Sequence, residues 1–495
     1  MNTRIRWRVS LALALTASVA FVAAQTPVMP QQPPATKGVV VMGRAPVSDK
    51  ILQVKLPKPQ EADLPNGIHL MVLEDRRAPQ IAFNLIIRGA GGYYDPADHF
   101  GLAQFTAAML REGTATRSSQ QIAEQIERMA AALNAGSGLS SQDASISAGC
   151  LTEYLDQVLD LAADILLNPA FPEQELARYK TQTRAGLTQQ RAQAGFLAME
   201  RYSQVMSGDH PSGRVSPTVA ALDKTTRESL VAFHKTHYVP DFAIIAISGD
   251  ISMAEAMKKV QARFGSWPKS GVAAPAVTDP APLAKPGVFL VSRPNSVQTN
   301  LMVGTQGIKR TDPDYYQLTI LNKIVGGGPT GRLFRHLRED KGYTYGAYSN
   351  LSALAYRGIW TANTEVRTEV TEAALTDLMD ELRQVRDVPV PTQEFNDAKR
   401  SLVAAFALEL ENPMSAVSNA VTRYRYKLPA DYWDRYAERV MAVTQAEVQA
   451  MAKKYFDPAR VQIVAVGNGD AITAGLKKFG VVEVFDTDGK KVGEK

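Results

Sequence analysis

The chain has 495 residues, of which 45% are hydrophobic and 21% charged, values typical of a globular protein large enough for two or more domains. Its formal net charge of +5 falls to +2 without the first 24 residues, which carry three arginines and no acid, and no basic stripe interleaved with aromatic residues follows. These features argue against nucleic-acid binding. The single cysteine, Cys150, excludes an internal disulfide, so a sizeable hydrophobic core must hold the fold together.

The N-terminus has the pattern of an export signal over residues 1–24. Three arginines precede the apolar run Val9–Ala20, and small residues at Val22–Ala24 offer a cleavage site. The run is shorter than a bilayer span, so a membrane anchor is the weaker interpretation. We expect an exported protein, periplasmic or in the cell envelope, with no transmembrane segment after signal cleavage. Residues 25–50, rich in Pro, Gln and Val, are predicted to form an extended linker.

Two blocks of similar length follow, at 51–268 and 287–480. A stretch rich in Pro, Ala, Lys and Gly at 269–286 separates them as an inter-domain linker, and residues 481–495 are predicted to be a tail. The blocks resemble each other at a nearly constant offset: Tyr238 and Tyr455 are 217 residues apart, and Pro240 and Pro458 are 218 apart. Such self-similarity is the mark of an internal repeat.

Each block has the same order of predicted elements. Two strands open it, a helix follows, a long helix begins next to a proline, and a last helix and strand close it. These elements are strands Ile68–Leu73, Ile81–Ile87, Val288–Val291 and Thr299–Thr305; helices Gly101–Arg111, Tyr315–Val325, Phe171–Lys180 and Val390–Lys399; and closing pairs Glu228–His237 with Ala243–Ser248 and Glu447–Lys454 with Val461–Val466. We therefore predict an α+β fold of two homologous domains, each a mainly antiparallel sheet covered by helices on one face, arranged like a clamshell around a cleft.

The second block contains a glycine-rich loop followed by a short helix, a turn at Lys341-Gly342 and a strand, all within residues 326–349. Arg338 lies one residue past the apolar helical face of Leu333, Phe334 and Leu337, and Tyr343, Tyr345 and Ala347 alternate as in a strand. The turn between them would bring a guanidinium and a phenol towards one point. Two such donors suit a peptide carbonyl, or the oxyanion formed when that carbonyl is attacked. The alternative is that Arg338 pairs with Glu339 or Asp340 and the tyrosines pack a sheet.

No other pattern supplies a catalytic centre. The motifs H-E-x-x-H, H-x-x-E-H and G-x-S-x-G are absent, and the glycine run is not closed by Gly-Lys-Ser/Thr as in a P-loop. His234 and His237 lie three apart on a helix but have no acid between them, so packing explains them better than a shared metal. Cys150 ends an alternating run and is predicted to be a small buried hydrophobe.

The repeat and the run Gly-Gly-Gly-Pro-Thr-Gly-Arg-Leu-Phe at 326–334, with Leu-Arg-Glu-Asp-Lys-Gly-Tyr-Thr-Tyr-Gly at 337–346, resemble the insulinase/pitrilysin family of zinc peptidases. The likeness covers about residues 50–475 and is nearest to two-domain bacterial relatives of mitochondrial processing peptidase. The run Gly-Leu-Ala-Gln-Phe-Thr-Ala-Ala-Met at 101–109 and Leu-Asn-Ala at 133–135 support it.

The resemblance also exposes a departure. Catalytic members carry H-x-x-E-H where this chain has Gln104, Ala107 and Ala108, and their distal glutamate ligand falls here near 185–186, at Ala-Gly. All three ligands and the general base are therefore missing, and the resemblance implies no metal or cofactor in this chain, with zinc in a partner subunit.

The second-half motif is intact, and family heterodimers divide the work between two such chains. By resemblance, Arg338 and Tyr345 assist a partner's site, and Gly326, Gly327, Gly328, Gly331, Asn134 and Ala135 contact substrate. The sequence thus predicts the non-zinc-binding subunit of an exported heterodimeric metallopeptidase, whose partners are an H-x-x-E-H homologue and a peptide. The rival interpretation is an inactive pseudo-peptidase that binds peptides or serves as a scaffold in the cell envelope. Exposure of the Arg/Tyr pair distinguishes the two.

Overall fold

A computed structural model describes residues 56–495, so the predicted export signal at 1–24 and linker at 25–50 lie outside the described residues. Within residues 56–495, no helix is both long enough and apolar enough to cross a membrane.

The first half of the chain contains a six-stranded sheet with the order β1-β2-β6-β3-β5-β4. Only β2 and β6 are parallel neighbours; the other pairs are antiparallel. The strands are β1 Gln60–Asp63, β2 His69–Glu74, β3 Gln80–Arg88, β4 Ala132–Ser137, β5 Asp143–Leu151 and β6 Ala243–Gly249.

Helices of this half pack against one face of the sheet and bury the first hydrophobic core. They are α1 Leu102–Met109, α2 Ser119–Arg128, α3 Leu155–Leu167, α4 Glu173–Arg191, α6 Val219–Lys224, α7 Arg227–His237 and α8 Met253–Phe264, whereas α5 Ala194–Ser207 packs elsewhere. Their ends follow local sequence: Ser118 and Gln121, for example, form a reciprocal capping box at the start of α2.

The second half repeats this plan around a seven-stranded sheet with the order β13-β12-β7-β11-β8-β10-β9. Its strands are β7 Gly287–Ser292, β8 Gln298–Gln306, β9 Thr344–Ser352, β10 Ile359–Arg367, β11 Gln462–Gly467, β12 Val482–Phe485 and β13 Lys491–Glu494. Its helices are α9 Tyr315–Val325, α10 Arg332–Phe334, α11 Thr371–Asp387, α12 Thr392–Glu409, α13 Pro413–Arg425, α14 Tyr436–Ala442, α15 Gln445–Tyr455 and α16 Gly469–Leu476.

The two sheets have the same topology, which confirms the predicted duplication and fold class. The order β2-β6-β3-β5-β4 in the first sheet is matched by β7-β11-β8-β10-β9 in the second, each with one parallel pair at the same place. Each half has its own helix-covered core, and both halves lie within one compact unit.

Each half also lends one helix to the other half's sheet. Helix α5 packs on β8 and β11, where Tyr202 lies among apolar side chains of the second sheet. Its repeat counterpart α13 packs on β2 and β6 of the first sheet, through residues that include Val417 and Val421. This exchange explains why β6 and β11 are buried along their whole length. The strands β4, β5, β9 and β10 are buried only at alternate or fewer positions, so one face of each remains half-open.

Residues 481–495 are part of the second sheet, so the predicted tail is wrong. Strand β12 pairs in parallel with β7, and β13 continues as an antiparallel hairpin. Phe485 packs against α5, and the Arg201 guanidinium lies 3.6 Å from its ring centroid. The hairpin thus helps to join the two halves.

The inter-domain linker is fixed to both halves. The Tyr93 hydroxyl accepts a hydrogen bond from the Thr278 backbone N–H at 2.9 Å, and Asp279 pairs with Lys309 at 2.8 Å. Tyr93 also stacks on Tyr356 of the second half, with ring centroids 5.7 Å apart. These contacts set the orientation of one half against the other.

Candidate functional site

The glycine-rich loop forms a tight junction between α9 and β9. The Gly326 and Gly327 backbone N–H groups both donate to the Asn322 carbonyl, and Ser349 N–H donates to the Gly326 carbonyl at 2.8 Å. The Asn322 side chain accepts from the Ser349 hydroxyl and from the Trp360 indole N–H, at 2.8 and 2.9 Å. One asparagine therefore ties the loop, the edge strand and the core together.

Close backbone packing is the reason for glycine at this junction. A Cβ on Gly326 would lie 2.6 Å from the Ser349 nitrogen, and one on Gly331 would lie 2.8 Å from the Gly326 Cα. Gly326 and Gly331 are buried, whereas Gly327 and Gly328 are half-exposed. Gly328 adopts φ +142°, a conformation that favours glycine. The buried pair shapes the loop, and only Gly327 and Gly328 present backbone to a ligand.

The loop leads into α10, which continues as a π-helical turn over Arg335–Asp340. π-Helical turns are rare in proteins, and those that occur often lie at functional sites. Ion pairs fix this segment to α11 and α12: Arg332 makes a two-pronged contact with Glu394 at 2.8 and 2.9 Å, and His336 Nδ1 lies 2.7 Å from Glu381. The segment is therefore held rigidly by groups other than Arg338.

Arg338 is exposed, and it forms no ion pair among residues 56–495. Its guanidinium lies over the Phe334 ring, 4.7 Å from the centroid, which orients it without neutralising it. The predicted alternative, a salt bridge to Glu339 or Asp340, is not formed. A cation of this kind is available to a carbonyl or carboxylate of a bound chain.

Tyr345 is 89% exposed and lies at a β-bulge in the edge strand β9. The pairing of β9 with β10 shifts between Thr364 and Val366, so Tyr345 and Gly346 together oppose one residue, Glu365. Bulges re-aim side chains and are common beside active sites. The simple strand alternation predicted from sequence would direct Tyr345 to the same side as buried Ala347; the bulge places it in solvent instead.

A turn closes the segment on itself, as predicted at Lys341-Gly342. Gly342 adopts φ +63°, its N–H donates to the Arg338 carbonyl, and Tyr343 N–H donates to the Leu337 carbonyl. Arg338 and Tyr345 therefore leave the protein on either side of one short turn. The arrangement presents one fixed cation and one phenolic donor beside a free strand edge.

Two further residues belong to this surface and were not singled out from the sequence. Phe334 supports Arg338 from below, and the ring of Tyr348, 38% exposed, lies 5.5 Å from that of Phe334. The spacing of four residues between Phe334 and Arg338 on a helix is the signal that would have identified the first of these.

The positions of the family's metal motif lie on α1 in the first half. Gln104 and Ala108 are half-buried and one turn apart, and Ala107 is fully buried in the helix layer. Carboxamide and methyl groups provide neither the imidazole nor the carboxylate that zinc requires. The residues present therefore do not fit a zinc ion.

Helix α4 lies beside α1, as the distal-ligand prediction requires, but it carries no ligand there. The Phe105 and Tyr179 rings meet at 6.0 Å, while Ala185 is exposed and a Cβ on Gly186 would meet nothing within 4 Å. Across residues 56–495, no group of three or more His, Cys, Asp or Glu side chains has the geometry to hold a metal ion.

Asn134 and Ala135 lie on β4, the edge strand of the first sheet. Asn134 is exposed, and Ala135 is half-buried and packs against the first core. Because β4 pairs only with β5, its other edge offers free backbone N–H and C=O groups, as an added peptide strand requires.

Neither the pair His234 and His237 nor Cys150 forms a second catalytic or metal centre. His234 Nε2 lies 2.8 Å from the Leu166 carbonyl, and His237 Nδ1 lies 2.8 Å from the Gly89 carbonyl, so each ring is committed to the backbone. Burial raises the pKa of the Cys150 thiol to about 11, which agrees with its predicted packing role.

Comparison with known proteins identifies relatives over most of the chain. Residues 70–214 match the family described as Insulinase (Peptidase family M16), and residues 224–402 match Peptidase M16 inactive domain. YmxG of Bacillus subtilis, named an uncharacterized zinc protease, is 25% identical over 399 residues, 79% of this chain and 94% of the relative. A similarly named protein of Mycobacterium tuberculosis, Rv2782c, is 26% identical over 401 residues, 80% and 90% of the two chains.

Solved structures show the same fold. A peptidase M16 inactive domain from Pseudomonas fluorescens superposes with a TM-score of 0.73 at 28% identity and covers 83% of this chain and 98% of its own. A protease from Helicobacter pylori has a TM-score of 0.76 at 16% identity, covering 83% and 100%, a likeness that concerns the fold alone.

Proposed function

Because the chain belongs to the insulinase (M16) family of peptidases, we propose that it is the subunit of a heterodimeric peptidase that binds no zinc and supplies Arg338 and Tyr345 to its partner's site. The partner would be a homologue with H-x-x-E-H, and the substrate a peptide or unfolded protein. By its N-terminal sequence, the complex would act outside the cytoplasm, in the periplasm or cell envelope.

One observation carries the proposal. The chain has none of its family's metal-ligand residues at the corresponding positions, and yet it presents an Arg338 without an ion pair among residues 56–495 and an 89% exposed Tyr345. The packing of the protein itself does not explain why these two side chains are exposed to solvent. The rigid mounting of the segment by Glu394 and Glu381 is what a positioned donor pair needs.

Each group would have its own role in peptide cleavage. Arg338, oriented by the Phe334 ring, would hold a substrate carbonyl or carboxylate, and the Tyr345 hydroxyl would donate to the oxygen on which charge develops. The free edge of β9 would bind the substrate in an extended conformation through its backbone. Attack on the carbonyl, and the metal chemistry behind it, would belong to the partner.

Complementation tests this directly. The chain is assayed on a quenched peptide alone, and together with a co-expressed H-x-x-E-H homologue from the same genome. We expect turnover in the mixture, abolished by a chelator, and none from the chain alone. Absence of turnover in both samples would contradict the subunit role and favour the alternative, a peptide-binding or scaffold protein.

Variants then assign the residues. Arg338→Ala and Tyr345→Phe should each lower turnover of the mixture by about 10²–10³, the usual loss for one oxyanion donor, while the heterodimer still elutes as one species. Arg383→Ala is the matched control, since Arg383 is an exposed arginine of the same half whose one ion pair within residues 56–495 is with Asp380. Unchanged turnover in both site variants would remove the role given to the pair.

A further inference from the structure

A cavity of about 390 Å³ lies at the junction between the inter-domain linker and the second half. Its lining includes Pro282 and Leu283 of the linker, Thr305 and Gly307 at and just after the end of β8, and Tyr455 at the end of α15. Sites for small molecules in proteins are concave and are commonly of this size. The cavity is therefore large enough to hold a small organic molecule.

The cavity is remote from the candidate site that contains Arg338 and Tyr345. Arg357 of its lining lies in the turn between β9 and β10, beyond the end of β9 at Ser352, whereas Tyr345 is the second residue of β9. At the usual rise of a strand, the two ends of β9 are roughly 20 Å apart. A ligand in the cavity would thus leave the Arg/Tyr pair open.

One glutamine fixes the linker side of the cavity. Gln306 Nε2 donates to the Met206 and Ala281 carbonyls at 3.0 and 2.7 Å, and its Oε1 accepts from the Leu283 N–H at 3.2 Å. These bonds join the linker, the end of α5 and β8. The cavity is therefore preformed, and a ligand would not have to order its walls at a cost in affinity.

The charged side chains of the cavity are mostly basic. Arg357, Lys454 and Arg460 line it, and Asp312 is the one acid among the described residues of the lining. One Asp312 carboxylate oxygen already accepts from the Lys309 N–H at 2.8 Å. A concave wall with an excess of one sign of charge concentrates ions of the opposite sign. The cavity therefore favours an anion.

Arg357 is the basic residue of this group whose charge has no partner. It is half-buried, and its guanidinium makes neither a hydrogen bond nor an ion pair within residues 56–495. The Asp279 carboxylate, close by in the linker, accepts instead from the Arg357 backbone N–H at 2.9 Å and pairs with Lys309 at 2.8 Å.

The other two basic residues differ in how firmly they are paired. Lys454 is committed to Asp314, with Nζ 2.5 Å from the carboxylate. Arg460 is exposed, and its Nε lies 3.8 Å from the Asp457 carboxylate, which is too far for a hydrogen bond. Two guanidinium groups, those of Arg357 and Arg460, are therefore available to a ligand.

We propose that this cavity binds a small molecule that carries a phosphate or carboxylate group, held by Arg357 and Arg460. Guanidinium groups bind both kinds of oxyanion through parallel hydrogen bonds. The half-exposed ring of Tyr455 and the Pro282 side chain offer an apolar surface to the body of the ligand. Binding requires no partner subunit and no contribution from Arg338 or Tyr345, so it goes beyond the function proposed above.

The test is isothermal titration calorimetry with the chain alone in buffer of low ionic strength. The ligands are phenyl phosphate, benzoate and benzamide, which share one aromatic ring and differ in the charged group. At least one of the two anions should bind about tenfold or more tightly than neutral benzamide, as expected for charge-assisted hydrogen bonds. Added salt should weaken binding of the anion.

The two anions distinguish the kind of ligand. Tighter binding of phenyl phosphate identifies a phosphate ligand, and tighter binding of benzoate identifies a carboxylate ligand; either result supports the site. Equal affinity for all three compounds, or no binding of either anion at about 10 mM, would overturn it.

Variants locate the effect. Arg357→Ala should abolish the preference for the anion, and Arg357→Lys should retain part of it, because lysine keeps the charge but not the paired donors. Arg460→Ala should weaken the preference and serves as the second variant if thermal unfolding shows that Arg357→Ala does not fold. Arg383→Ala, at an exposed arginine outside the lining, is the control that should bind as the wild type does. Full retention of the preference in Arg357→Ala, or in Arg460→Ala where Arg357→Ala does not fold, would contradict the proposal.

Binding by the chain alone also separates this inference from the proposed subunit role. Anion binding without any complementation of a partner would overturn only the subunit role. Complementation without anion binding by the isolated chain would overturn only the cavity proposed here.

Discussion

The two edge strands, β4 and β9, differ by one inserted residue in the way they pair with the neighbouring strand. In the first half, Ala130 adopts φ +45° and β4 then pairs regularly, with Ala132 opposite Gly149. In the second half, Gly342 makes the same left-handed turn, but two residues oppose Glu365. The insertion creates the bulge that exposes Tyr345. Duplicated scaffolds of this kind can keep their packing and still acquire a site in one copy through a local change at a sheet edge.

The helix before that turn shows the same divergence. Ile126 stands four residues before the left-handed position in the first half and packs against the core, whereas Arg338 stands four residues before Gly342 and is exposed. Helix α2 is a regular α-helix with a capping box, and its counterpart passes into a π-helical turn. The π-helical turn and the bulge in β9 thus both lie in the segment that carries the candidate site.

The helices exchanged between the halves should give the largest difference in stability. Tyr202 of α5 and Val421 of α13 occupy repeat-equivalent positions, 219 residues apart, and both are buried against the opposite sheet. Tyr202 also donates to the Trp360 carbonyl and accepts from the Thr361 hydroxyl. We expect Tyr202→Ala to lower the free energy of unfolding by about 3–5 kcal/mol and Val421→Ala by about 1–2 kcal/mol. Equal losses of unfolding free energy in urea titrations would show that the two helices contribute equally to stability.

The anchors of the divergent helices should differ less. Glu175 and Glu394 occupy equivalent positions in the repeat, and each accepts hydrogen bonds from the first residue of a divergent helix. Glu175 accepts one from Ser119 of α2 at 3.0 Å, and Glu394 accepts two from Arg332 of α10. Arg332→Ala should cost about 2–3 kcal/mol, because a partly buried carboxylate loses its main partner, and Ser119→Ala about 1 kcal/mol. Thermal unfolding of both variants checks the order. A smaller loss for Arg332→Ala would contradict the rigid mounting of Arg338.

A third pair tests whether the repeated helix caps are equivalent. Lys399 is buried and donates to the Met441 and Val443 carbonyls at 2.6 and 2.8 Å, whereas Lys180 donates to the Asp223 carbonyl alone at 3.2 Å. Lys399→Met should destabilise the protein by about 1–2 kcal/mol, and Lys180→Met by less than about 0.5 kcal/mol. If Lys180→Met lowers the unfolding free energy as much as Lys399→Met does, water does not replace the hydrogen bond from Lys180 to the Asp223 carbonyl.

The smallest effect concerns Cys150, whose repeat counterpart is the buried Val366. Burial raises the pKa of the thiol to about 11, so the folded protein contains almost no thiolate at pH 8. Reaction with a disulfide reagent should therefore be slow in buffer, and should become fast only when urea unfolds the chain. Rapid labelling of the native protein would contradict the packing role of this position.

Sequence reasoning found what repeats and missed what does not. The pairs Tyr238 and Tyr455, and Pro240 and Pro458, have nearly the same spacing, and this was enough to predict the duplication and its sheets. The prediction succeeded because both halves bury the same pattern of apolar residues. The hairpin at 482–494 has no counterpart hairpin among the described residues of the first half, and its two strands are only four residues each, so periodicity gave no signal for it.

The candidate site was predicted in identity but not in geometry. Arg338, Tyr345 and the turn between them follow from residue type and the family resemblance. The bulge and the π-helical turn arise from pairing with β10 and from ion pairs to α11 and α12, contacts between segments that local sequence does not reveal.

The proposed division of labour between this chain and a zinc-binding partner depends most directly on the absence of a zinc site on α1 and α4. The decisive measurement is the zinc content of the purified chain, determined by mass spectrometry after dialysis against buffer with micromolar zinc, with an H-x-x-E-H relative treated in the same way. Our account predicts a zinc content far below one ion per chain here and about one in the relative. One tightly held zinc per chain would contradict it, because Gln104 and Ala108 would then not mark a lost site.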